Sequence, residues 1–142
     1  MTISQILDQK GRDIFSKSPS CPLSDIVKLL RDEKIGVVLI SEGESLQGIL
    51  SERDIVRALS DHGASILADP ASAHMTNKVM TCREGDTIAT VMAHMTSGRF
   101  RHMPVMEGGK VVGLVSIGDV VKQRILEAEK EADEMRAYIA SA

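Results

Sequence analysis

The chain has 142 residues and a mass of 15.4 kDa, room for one domain of ordinary size. Aromatic residues are only 2% with no Trp, and the formal net charge is −3. That composition argues against base-stacking platforms for single-stranded nucleic acid and against a basic field for DNA or anionic lipid.

The longest apolar runs are short, such as residues 37–40 (VVLI), whereas a membrane-spanning helix needs about 20 apolar residues. The opening MTISQILDQK lacks the apolar centre of a signal peptide. A cytoplasmic protein is therefore expected, without a membrane or nucleic-acid partner. Cys21 and Cys82 are expected as free thiols, since they sit in neither a CxxC nor a zinc-type spacing.

In chain order, a short helix carrying Ile3, Ile6 and Leu7 comes first. An extended piece at 14–16 leads into a helix over about 23–31, where Leu23, Ile26, Val27 and Leu30 mark one buried face. A strand at 37–40, a glycine turn at 41–44 and a strand at 46–50 follow, then a helix at 52–59. Residues 60–74, broken by Gly63 and Pro70, read as a connection.

The series then returns. Residue n falls on residue n+65 without a gap from about Ile14 to Leu59. The second pass gives an extended piece at 79–81, a helix at 88–97, strands at 102–106 and 111–115, and a helix from Ile117. The expectation is an α+β fold of two βαββα repeats with a long C-terminal helix. Its boundaries fall at 1–65 for the first repeat with the N-terminal helix and 66–78 for the linker. Residues 79–125 form the second repeat and 126–142 a helical extension.

In the last helix, Val121, Ile125, Ala128, Ala132, Met135 and Ile139 recur at 4-3-4-3-4 spacing among charged residues. Such a narrow heptad seam suits contact with a second subunit better than burial on its own chain.

Only six repeat positions are identical: Glu42, Gly43, Gly48, Ser51, Asp54 and Val56 match their partners 65 residues on. Two of the resulting segments, GILSERD and GLVSIGD, share the form G-x-x-S-x-x-D at a strand-to-helix junction. Ser followed three residues later by Asp is close to a helix capping box, and a cap alone would explain both. The same geometry can also bind. A helix N-terminus offers free N–H groups to a phosphate, a serine hydroxyl adds a donor, and an ionised Asp accepts from ribose hydroxyls. The glycine lets a ligand or backbone approach closely. Arg53 lies inside the first motif, and Arg99, Arg101 and His102 cluster before the second repeat's strand.

The doubled motif, the repeat order and the R-H-x-P-V segment resemble a CBS-domain pair, over about residues 3–125. LSERDIV, GRFRHMPV and GDVVKQRI are similar to small stand-alone bacterial proteins of this kind. The resemblance implies two repeats packed by pseudo-twofold symmetry with two clefts between them. It implies adenosine-containing ligands there (AMP, ATP, NAD(H) or S-adenosylmethionine) and assembly as a homodimer. One cleft would use Ser51, Arg53 and Asp54, faced by Thr81, Arg101, His102 and Met103. The other would use Ser116, Gly118 and Asp119, faced by Ser16, Val37 and Val38. Because Gly118 replaces Arg53 and Val37 replaces His102, the two sites should differ in affinity or ligand.

The serines lack a neighbouring base with an orienting third group, and the histidines form no metal spacing, so an enzyme or catalytic cofactor is not expected. The expected function is a regulatory module sensing AMP or NAD(H), hence energy or redox state, and acting on an effector protein in trans. The rival reading is a ligand-free homodimeric interaction module. A sensor of ATP or S-adenosylmethionine ranks below both.

Overall fold

The computed structural model describes residues 1–141. The elements are α1 (Ile3–Lys10), β1 (Ser16–Lys17), α2 (Leu23–Glu33), β2 (Val37–Glu42), β3 (Ser45–Ser51) and α3 (Glu52–His62). Two short 3-10 helices, Ala64–Ala68 and Ala71–Ala73, precede α4 (Ile88–Gly98), β4 (His102–Glu107), β5 (Lys110–Ser116) and α5 (Ile117–Ser141). The chain forms two compact units. One comprises Asp13–Met80 with Gly108–Val111, and the other Met1–Arg12, Thr81–Glu107 and the chain from Val112 onward.

The first-repeat unit is a three-stranded sheet in the order β1-β2-β3. β1 runs parallel to β2, and β2 antiparallel to β3, with Val37 opposite Ser51 and a register slip after Ile40. Strand alternation sends Val38 and Ile40 into one core with Leu23 and Ile26 of α2, Leu50 of β3 and Ile55 of α3. α2 ends on Lys34 in the left-handed region, φ 54°.

The second-repeat unit carries β4 and β5 as a pair. Met103 and Val105 enter its core with Ile88, Val91, Met95, Val115 and Val120. Cys82 bridges Val105 in parallel, the repeat counterpart of Lys17 against Ile40. The extended piece expected at 79–81 thus lies one residue further on. α4 ends on Arg99 at φ 56°, the counterpart of Lys34. Arg99, read from sequence as part of a basic cluster, is therefore also a helix terminator.

Two boundaries differ from the sequence reading. The sequence places the N-terminal helix with the first repeat, but its Ile3, Ile6 and Leu7 are buried in the core of the second-repeat unit. The stretch 66–78, read as linker, is partly core of the first-repeat unit: Ile66 is 1% and Ala71 0% exposed, and Met75 packs beside them. The two leading segments do the same job. Thr2 bridges Thr87 and Pro70 bridges Pro22, and Pro22 and Thr87 are equivalent residues one position before α2 and α4. Each βαββα repeat is closed by the segment that precedes the other repeat. Neither segment lies within the repeat whose core it completes, so periodicity could not assign it.

Candidate functional site

Ser51 caps α3. Asp54 N–H donates to Ser51 Oγ at 3.2 Å, and Asp54 Oδ2 accepts from Ser51 N at 2.9 Å and from Ser51 Oγ at 3.0 Å. This is a complete capping box with Asp in the place usual for Glu or Gln. The other carboxylate oxygen, Oδ1, stands outside those bonds and lies 3.8 Å from Arg57 Nη1, one turn along α3. It retains acceptor capacity for a hydroxyl.

The second motif repeats the geometry. Asp119 N–H donates to Ser116 Oγ at 3.1 Å, and Ser116 N–H to Asp119 Oδ2 at 2.9 Å. One partner is new. Lys10 Nζ, at the end of α1, donates to the same Asp119 Oδ2 at 2.7 Å and to Leu114 O at 3.0 Å. Burial pushes the Asp119 carboxyl up, but the bonds from Lys10 and Ser116 outweigh that and hold it below its ordinary value. The two boxes therefore differ electrostatically. One carboxylate faces an arginine at long range, and the other is neutralised by a lysine in contact. The asymmetry expected from Arg53 against Gly118 and His102 against Val37 thus gains a contact from outside both pairs.

The motif glycines serve packing. A Cβ on Gly48 would meet Met75 Sδ at 2.6 Å and the Thr76 carbonyl oxygen at 2.9 Å. A Cβ on Gly113 would meet Leu7 Cδ2 at 2.7 Å. The close approach anticipated for a ligand or backbone is made here by the leading segments.

The remaining candidates divide by unit. In the first-repeat unit, Val37 lies opposite Ser51, and Glu52 N–H donates to Gly36 O at 2.9 Å, so the β2 start adjoins the box. Ser16 is exposed on β1 opposite Leu39, and Val38 is 0% exposed in the helix-facing core. Arg53 is exposed and lines an open depression of about 540 Å³ on α3 with Glu52, Val56, Arg57, Ser60 and Asp61. In the second-repeat unit, Ile117 N–H donates to Arg101 O at 2.8 Å, which brings Arg101 beside the Ser116 box. His102 is half-buried, Met103 is core at 0%, and Thr81 and Gly118 are exposed. Val38 and Met103 can thus offer backbone but not side chain to a ligand without repacking.

Sequence reasoning missed Lys10 and Arg57. The i,i+3 spacing from Asp54 could have found Arg57. Lys10 gives no local signal, because its partner is 109 residues away.

No group of three or more His, Cys, Asp or Glu among the described residues could hold a metal ion. Burial, then Asp86, pushes the Cys82 thiol up to about 12, so it is protonated and inert at neutral pH. No helix of the described residues is long and apolar enough to cross a membrane.

With this geometry in view, comparison with known proteins identifies the fold. The structure of the CBS-domain containing protein ATU1752 from Agrobacterium tumefaciens is 39% identical with a TM-score of 0.85, covering 87% of this chain and 99% of that one. Two more distant structures share the fold. One is PAE2072 from Pyrobaculum aerophilum complexed with AMP, at 24% identity and TM-score 0.74 over 84% of this chain and 89% of that one. The other is the CBS domain pair of MJ0100 in complex with 5'-methylthioadenosine and S-adenosylmethionine, at 22% and 0.76 over 87% and 98%. The sequence profile of the CBS domain matches residues 10–61 and again 71–125, so the chain belongs to the CBS domain family, whose tandem pairs are regulatory modules.

Proposed function

We propose that the protein is a regulatory module whose two Ser–Asp boxes bind an adenosine-containing ligand, AMP or NAD(H) ahead of ATP or S-adenosylmethionine. The observation that carries this reading is the Asp54 box. A helix N-terminus, a serine hydroxyl and a carboxylate with one oxygen outside the cap stand together, as a phosphate-and-diol ligand requires. The AMP and S-adenosylmethionine complexes of fold relatives support the ligand class. In this reading the ribose diol engages Asp54 Oδ1, with Arg57 beside it. The Asp119 box, already bonded to Lys10, takes the ligand more weakly or takes a more anionic one. A bound ligand shifts the population of two arrangements of the protein by its differential affinity, and an effector protein in trans reads the shift. The site of action is the cytoplasm.

The test is thermal melting of nucleotide-free protein with AMP, NADH, ATP and S-adenosylmethionine, and GMP as control. A ligand at 100 times its Kd stabilises the native state by about 2.7 kcal/mol, several degrees for a chain of this size. Asp54→Asn keeps an acceptor for the cap while removing the charge, so the fold should survive and the shift should shrink. If no adenosine ligand moves the midpoint, the boxes are helix caps and the module works through protein contacts alone.

A further inference from the structure

α5 turns one face to its own unit: Val120 and Gln123 are buried, and Ile117 and Glu127 half-buried. From Ala128 to Ser141 every residue is exposed. Fourteen residues of solvated helix are marginal by themselves, because helices this short gain most of their stability from a packed apolar face. Such a face exists and is uncovered. Val121 is 40% exposed, Ile125 53%, Met135 60% and Ile139 65%, with Ala128 and Ala132 between them in the same seam.

The charges beside the seam choose the occupant. With Ile125, Ala132 and Ile139 as a positions and Val121, Ala128 and Met135 as d positions, Arg124 and Glu131 occupy g, and Lys122, Glu129 and Arg136 occupy e. In a parallel, in-register pair each g residue faces the e residue five positions later on the partner helix. Arg124 then meets the partner's Glu129, and Glu131 the partner's Arg136, so both contacts attract. In the antiparallel alignment that matches the same apolar layers, Glu129 meets its own copy, Glu131 its own copy, and Lys122 meets Arg136, all of one sign. Like charges so placed reject an arrangement. We propose that α5, along its seam from Val121 to Ile139, docks on α5 of a second copy of this chain as a parallel, in-register two-stranded coiled coil. The two alanines let the helix axes approach closely at its centre. This inference stands apart from the nucleotide reading and does not depend on it.

The test is disulfide trapping in the full chain with Cys21→Ser, Cys82 being buried and inert. Val121→Cys and Ile139→Cys are made separately at exposed positions, with helix content checked by circular dichroism. Under mild oxidation each variant should form its own disulfide-linked dimer. An equal mixture should give no 121–139 disulfide by mass spectrometry, because some 27 Å of helix separates those layers in a parallel pair. Arg124→Glu with Arg136→Glu makes both flanking contacts repulsive and should cut trapping at Ile139→Cys about tenfold. Adding Glu129→Arg and Glu131→Arg should restore it. A 121–139 disulfide overturns the parallel arrangement. Absence of both homodisulfides, or trapping indifferent to the charge reversals, overturns the coiled coil.

Discussion

Lys10 and Asp119 meet at 2.7 Å with side chains 38% and 25% exposed. An ion pair this accessible is screened, and its contribution is about 0.5–1 kcal/mol. Asp119 has a folded-state pKa below the unfolded one, so its stabilisation is complete above the ordinary carboxylate value near 4. It is lost as pH falls toward the lowered folded value. Lys10→Met should therefore be less stable than the parent in urea at pH 7 by about that amount. The two should converge at acid pH, once the pH has fallen through the lowered folded value and protonated Asp119 no longer holds the lysine. An equal gap at both pH values would assign the loss to packing of the lysine stem. The boxes themselves were legible because Ser and Asp three apart define a helix start without reference to anything else. Lys10 was not, because tertiary folding alone brings it to Asp119.

At the scale of elements, the helices and strands fall within one to three residues of the positions read from periodicity. The structure adds reasons for their ends, such as Lys34 and Arg99 in the left-handed conformation. The stretch after α3 carries no readable signal, because ASILADPASAH is too short and too broken to show a period, although Ile66 and Ala71 are fully engaged in the core. Motif glycines that look alike in sequence should respond differently to substitution. At Gly48 an added methyl meets the Thr76 backbone oxygen as well as the Met75 side chain, and backbone held by the Ile49–Thr76 bridge yields poorly. At Gly113 the obstacle is the end of the Leu7 side chain, which can turn aside. Gly48→Ala should cost about 2–3 kcal/mol and Gly113→Ala about 1 kcal/mol, read by chemical denaturation. Equal costs would mean that Leu7 is held as rigidly as the Thr76 backbone.

For the whole molecule, the leading segments decide where the chain can be divided. Cutting at the repeat boundary near residue 65 would leave the first repeat without Ala71 and Met75, and the second without Ile3, Ile6 and Leu7. Leu7→Ala removes a fully buried side chain and should cost about 2–4 kcal/mol. The damage should appear in the other half of the sequence. Hydrogen exchange should accelerate at 88–98 and 102–107 and stay unchanged at 23–33 and 37–42. Faster exchange confined to α1 would mean that the helix is an ornament on a unit already complete without it.

That exchange of leading segments also sets an order in time. As the chain emerges from the ribosome, residues 13–80 contain nearly everything their unit needs and can close early. The apolar face of α1 is synthesised before its partners, and Cys82 and Ile88 follow roughly 80 residues later. At about 5–20 residues per second that is a wait of several seconds. α1 is thus made well before it can be buried, and until then its apolar face is the kind of transiently exposed surface that chaperones cover.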